Sequence, residues 1–92
     1  MVAQQCGRAV LARQPQIGIW NSLASTACVE VIAGAGYDWL LIDTEHGPFG
    51  LEGLQHCLAA FNGSPTVPIV RVPWNDAVRI KQILDLGADG VL

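Results

Sequence analysis

Short apolar runs alternate along the chain with stretches in which apolar residues recur every third or fourth position. The runs are QIGIW (16–20), WLLI (39–42), VPIVRVPW (67–74) and DGVL (89–92). Each is rich in Ile, Val, Leu or Trp and bounded by Pro, Gly or Asp, the pattern of a buried strand. Between the first two, ACVEVIAGAG (27–36) follows the N-cap candidates Ser22, Ser25 and Thr26 and closes on Gly34 and Gly36, as a short helix does. PFGLEGLQHCLAAFNG (48–63) brings Leu51, Leu54, Leu58 and Phe61 to helical spacing and ends on Asn62-Gly63. AVRIKQILDL (77–86) puts Ile80, Ile83 and Leu84 on one face behind the cap candidates Asn75 and Asp76, and Gly87 stops it. At the start, QQCGRAVLARQPQ (4–16) reads as a short helix leading into the first strand.

The order is therefore strand and helix in alternation, four strands in all. Strands that are apolar throughout and separated by helices form a parallel sheet covered on its faces. An open doubly wound sheet and a (β/α)8 barrel both satisfy this order. A barrel takes roughly 250 residues, so a chain of 92 would supply its first four strands and three helices. Composition sharpens the expectation. Half the residues (51%) are apolar and only 14% are charged, against roughly a quarter charged in an ordinary soluble domain. Apolar faces of that extent in so short a chain are expected to be covered by further chain.

The net charge is −3, and the five basic residues, Arg8, Arg13, Arg71, Arg79 and Lys81, are scattered. No patch is available to follow a nucleic-acid backbone, so no nucleic-acid partner is expected. Cys6, Cys28 and Cys57 are far apart and form no CxxC pair, which leaves reduced thiols as the plain reading. No apolar run approaches the ~20 residues of a membrane span, and the N-terminus lacks the layout of a secretory signal. No membrane partner and a cytoplasmic location are the expectations. GAGYDW (34–39) follows a helix, where a dinucleotide-binding glycine motif must follow a strand.

In either parallel architecture, ligands bind beyond the carboxyl ends of the strands. There the chain places Trp20-Asn21 after the first run, Asp43, Glu45 and His46 after the second, and Arg71, Pro73 and Trp74 at the end of the third. Each has a plainer reading: Asp43 as a loop-bonding carboxylate, Glu45 as a solvated one, His46 as a turn residue before Gly47-Pro48, the tryptophans as packing. Arg71 is harder to set aside, because it interrupts a strand that is otherwise apolar and an unpaired buried charge is costly. It either bridges to Asp43 or Glu45, or its guanidinium fork receives an anionic ligand such as a carboxylate.

Four blocks, PQIGIW, AGAGYDWLLIDTEHGP, PIVRVPWND and IKQILDLGADGVL, resemble in order and spacing the opening segments of the HpcH/HpaI aldolases, from about residue 13 to 92. Thr44 stands where many members carry glycine. The resemblance implies the N-terminal part of a (β/α)8 barrel of the aldolase/citrate lyase type, residues 1–92, cut after the start of the fourth strand. It further implies a metal-dependent carbon–carbon lyase of the 4-hydroxy-2-oxoheptanedioate or 2-dehydro-3-deoxyglucarate aldolase kind. Such an enzyme cleaves a small 4-hydroxy-2-oxo acid reversibly to pyruvate and an aldehyde, a reaction of aromatic or sugar-acid catabolism. By position, His46 matches the general base, Arg71 the residue that steadies charge on the pyruvate oxygens and binds substrate, and Asp85 the aspartate that raises the histidine's basicity. Trp20 is a weaker substrate-binding candidate.

The resemblance also implies a divalent cation, Mg2+, Mn2+ or Co2+, whose carboxylate ligands match no residue of this chain. Asp85 falls about nine residues along a helix that starts at the rim, roughly 13 Å down it, so it is expected to act on a neighbouring subunit of a homo-oligomer. The 92-residue chain alone is expected to be inactive. Two alternatives stand beside this reading: a citrate-lyase-like acyl-thioester enzyme of the same superfamily, and an inactive truncated product that only associates with other chains.

Overall fold

Four parallel strands lie side by side in chain order: β1 (Gly18–Asn21), β2 (Trp39–Asp43), β3 (Val67–Arg71) and β4 (Gly90–Val91). The computed structural model describes the backbone of residues 2–92 and the side chains of residues 7–92. The helices are α1 (Val2–Leu11), α2 (Thr26–Ala33), α3 (Leu51–Ala59) and α4 (Ala77–Asp85). No helix among the described residues is long and apolar enough to cross a membrane.

Local chemistry sets the helix ends. Of the three cap candidates before α2, Ser25 takes the role, its hydroxyl accepting the Cys28 N–H at 3.3 Å. Asp76 caps α4 in the same way, accepting the Val78 N–H at 3.1 Å. Gly50 caps α3 without a side-chain bond, and Glu52 in the first turn faces the positive end of the helix dipole. Gly87, at φ 112°, provides the left-handed residue that turns the chain from α4 toward β4.

Alternation divides the sheet into two unlike faces. Leu40 and Ile42 of β2 and Val70 of β3 pack with Val29 and Ala33 of α2, Leu54, Cys57 and Leu58 of α3, and Ile83 of α4. The three crossover helices therefore cover one face. Trp39, Leu41 and Asp43 of β2, with Val67, Ile69 and Arg71 of β3, point to the other. There the Trp39 indole lies directly on Gly18, where a Cβ would collide with it. A doubly wound sheet reverses its strand order and carries helices on both faces. The sequential order with every crossover helix on one face is a sector of a (β/α)8 barrel, and it settles the choice that periodicity left open.

Three strands are shorter than their apolar runs, and the first begins at Gly18 rather than at residue 16 and closes at Asn21. The third ends at Arg71, not at residue 74, because Pro73 has no N–H to pair and the backbone bends there. The fourth is assigned to Gly90–Val91 only, although the Leu92 N–H still reaches the Val70 carbonyl at 2.9 Å. Parallel pairing sets Asp43 opposite Arg71 at the carboxyl ends of β2 and β3. That register builds the site.

Candidate functional site

Asp43 is the last residue of β2 and only 2% exposed. Both of its oxygens are engaged. Oδ1 accepts the backbone N–H groups of Glu45 and His46, each at 2.9 Å. Oδ2 accepts the Trp20 indole N–H at 3.0 Å and lies 3.5 Å from Nη1 of Arg71. Burial pushes the Asp43 carboxyl up, but the hydrogen bonds from His46, Trp20 and Glu45 and the Arg71 charge together outweigh it. The carboxyl stays below its ordinary value and is ionised at neutral pH.

One carboxylate thus ties three strand ends together. Its Oδ1 bonds fold the chain after β2 into a tight turn, and that turn presents His46. Thr44 secures the same turn from the other side: its hydroxyl and its N–H both donate to the Arg71 carbonyl, at 2.5 and 3.0 Å. Gly47 completes it, since a Cβ there would collide with the Asp43 carbonyl oxygen.

Arg71 is 28% exposed and has two anionic partners. Besides Asp43, its Nε lies 2.5 Å from Oε2 of Glu45. The guanidinium carbon stands 5.4 Å from the Trp20 ring centroid, within cation–π range. Of the two readings left open by sequence, the bridge is the one observed, and Arg71 also lines an open cleft of about 580 Å³. Trp20, Glu45, Pro73, Trp74 and Asn75 share its walls with Val91 of β4 and Leu92.

His46 stands beside the cleft rather than in its wall. Its imidazole is 66% exposed, and Nε2 lies 3.5 Å from Oε1 of Glu45. Trp20, half exposed on β1, is both a wall of the cleft and a donor to Asp43. Asp85 lies elsewhere. It is the exposed last residue of α4, in a separate groove between α3 and α4 with Glu52, Gln55 and Gln82. The fold brings Trp20, His46 and Arg71 together and leaves Asp85 apart. His56 is on the surface, Cys57 is buried and Cys28 partly so; the side chain of Cys6 lies outside the described residues.

Sequence offers Asp43 and Glu45 as loop or solvated carboxylates and as alternative bridge partners of Arg71; in the structure both bridge it. The available signal was the spacing DTEH with an arginine at the corresponding end of the next strand. Among the described residues, no group of three or more His, Cys, Asp or Glu side chains is placed to hold a metal ion.

A family model described as HpcH/HpaI aldolase/citrate lyase matches residues 16–92. A 4-hydroxy-2-oxo-heptane-1,7-dioate aldolase of Salmonella dublin is 49% identical over 84 residues, which are 91% of this chain and 32% of that protein. Among solved structures, an HpcH/HpaI aldolase/citrate lyase family protein from Burkholderia cenocepacia J2315 matches with a TM-score of 0.87 and 36% identity, over 97% of this chain and 35% of that one. A citrate synthase matches with a TM-score of 0.81 and 37% identity, over 91% of this chain and 34% of its own. The chain spans about a third of the length of the curated relatives it matches.

Proposed function

The chain belongs to the HpcH/HpaI aldolase/citrate lyase family, and on that premise we propose that the protein is a carbon–carbon lyase acting on a small 4-hydroxy-2-oxo acid. The observation that carries the proposal is the Asp43–Arg71 pair across the ends of β2 and β3. Asp43 also holds the His46 backbone, and both Arg71 and His46 contact Glu45, at the end of the strands where barrel enzymes bind ligands.

In the cleavage direction, His46 takes the proton from the 4-hydroxyl, directly or through water. The C–O bond becomes the aldehyde carbonyl as the C3–C4 bond breaks, and its electron pair passes into the enolate of pyruvate. Protonation at C3 completes pyruvate. Arg71 faces the negative charge that grows on the enolate oxygen, and a fixed cation there favours the transition state over the ground state. The divalent cation that the family resemblance implies finds no ligand set among the described residues. Asp43 and Glu45 are already engaged with Arg71, and we assign the cation to carboxylates outside this chain.

Asp85 enters the proposal through a second subunit, given its distance from the cleft along α4. Mixing Asp85→Asn and His46→Ala subunits should then restore activity that neither variant has alone; no recovery would remove Asp85 from the site. The substrate follows from the relative's name, 4-hydroxy-2-oxo-heptane-1,7-dioate. The complete protein, given that compound and Mg2+ or Mn2+, should release pyruvate and aldehyde in equal amounts. The likeness to a citrate synthase favours a second reading, condensation to a citrate-like product at the same rim. Citrate formation without pyruvate release would select it.

A further inference from the structure

The rim holds one carboxylate whose engagement the aldolase reading does not use. Glu45 spans the two groups assigned to the chemistry, with Oε2 at 2.5 Å from Arg71 Nε and Oε1 at 3.5 Å from His46 Nε2. It also forms part of the cleft wall. Asp43 fixes the backbone of Glu45 through its N–H, so the side chain starts from an anchored point. We propose that Glu45 is a positioning residue, one that aims the Arg71 guanidinium into the cleft.

A guanidinium on a flexible stem has many orientations, and Asp43 alone holds only Nη1, at 3.5 Å. A second contact on Nε fixes the plane of the fork, because two separate nitrogens are then held by two separate carboxylates. The Trp20 ring flanks the same group at 5.4 Å. This arrangement leaves the rest of the fork for a ligand in the cleft. It also has a cost for binding. Asp43 and Glu45 together outnumber the single arginine charge, so an anionic 2-oxo acid approaches a rim with an excess carboxylate. Glu45 therefore favours the transition state through aim while opposing ground-state binding through charge.

That opposition gives a signature that a merely structural role would not produce, and it rests on the aldolase reading for its kinetic part. Glu45→Gln keeps an oxygen for Arg71 Nε–H but removes the charge that holds it. In the complete protein, pyruvate release should show kcat reduced on the order of 10-fold, since an angstrom of misplacement costs up to ~100-fold, with KM unchanged or lower. A kcat within twofold of the unaltered protein, or a raised KM, would overturn the proposal. Glu45 is partly exposed and glutamine is isosteric, so the variant should fold, as its melting curve would verify. A crystal structure of Glu45→Gln supplies the second readout: the guanidinium should leave its observed plane, and an unmoved guanidinium overturns the claim. If the unaltered protein releases no pyruvate at all, the aldolase reading fails, and the position of Arg71 in that crystal structure still decides the role of Glu45.

Discussion

Asp43→Asn is the perturbation that most sharply tests how the rim is held. The amide oxygen can still accept the Glu45 and His46 N–H groups, at 2.9 Å in the carboxylate form. The amide nitrogen would then face two donors, the Trp20 indole N–H at 3.0 Å and Arg71 Nη1 at 3.5 Å. A hydrogen bond to a charged group contributes roughly 1.5–3 kcal/mol, and the loss of a buried partner costs roughly 3–5 kcal/mol when the other charge is stranded. Arg71 is not stranded, since it is 28% exposed and keeps Glu45. The indole is half exposed and can turn to water. A loss of about 1.5–3 kcal/mol at pH 7 is the net expectation.

The pH dependence has a definite sign. The folded-state pKa of Asp43 lies below its ordinary value of 3.8. Its contribution is therefore complete above that value and fades as pH falls through the lower folded pKa. Urea unfolding of the unaltered and Asp43→Asn proteins at pH 7 and near pH 3 reads both quantities. A difference under about 0.5 kcal/mol at pH 7, or one that widens toward pH 3, would refute the assigned role.

Other consequences concern the turn and the sheet. Gly47→Ala forces a methyl against the Asp43 carbonyl and should cost about 1–3 kcal/mol with a marked loss of activity; a melting temperature and rate equal to the parent's would refute the close approach. Gly18→Ala should displace the Trp39 indole, seen as a shift in tryptophan emission together with a loss of about 1–3 kcal/mol, and an unchanged spectrum and stability would contradict it. Ser25→Ala removes the cap on Cys28 N–H and should lower stability by about 1 kcal/mol, read from denaturant midpoints, whereas Ser22→Ala should leave them unmoved.

The elements were legible because local pattern decides them. Trp39–Asp43 differs from the apolar run by one residue, and Asp76 and Gly87 mark the ends of α4 where turn chemistry requires them. The N-terminal helix read from residues 4–16 runs instead from Val2 to Leu11, before Pro15. The end of β3 was legible to within two residues, because Pro73 in the run ends the strand; the strand closes at Arg71 and a last backbone bond runs from the Val72 N–H to the Leu92 carbonyl at 3.0 Å.

The site was legible in its residues but not in its bonds. His46, Arg71 and Trp20 were candidates from their places at strand ends. The organising role of Asp43 is not legible in the sequence, because its partners come from β1, β3 and its own loop, and Trp20 is 23 residues away along the chain. Such contacts follow from the Asp43–Arg71 register, a tertiary fact that one sequence does not carry. The separation of Asp85 from the cleft did follow from helix geometry, since nine residues of α4 carry it about 13 Å from the rim.

The retro-aldol cleavage proposed for this rim takes His46 as its base. It is tested most directly by pyruvate release from 4-hydroxy-2-oxo-heptane-1,7-dioate, measured side by side for the complete protein and its His46→Asn variant. Metal-stimulated release by the unaltered protein is expected, with a fall of roughly 10²–10⁴-fold in the variant. No pyruvate from the unaltered protein, or equal rates from both, would contradict it.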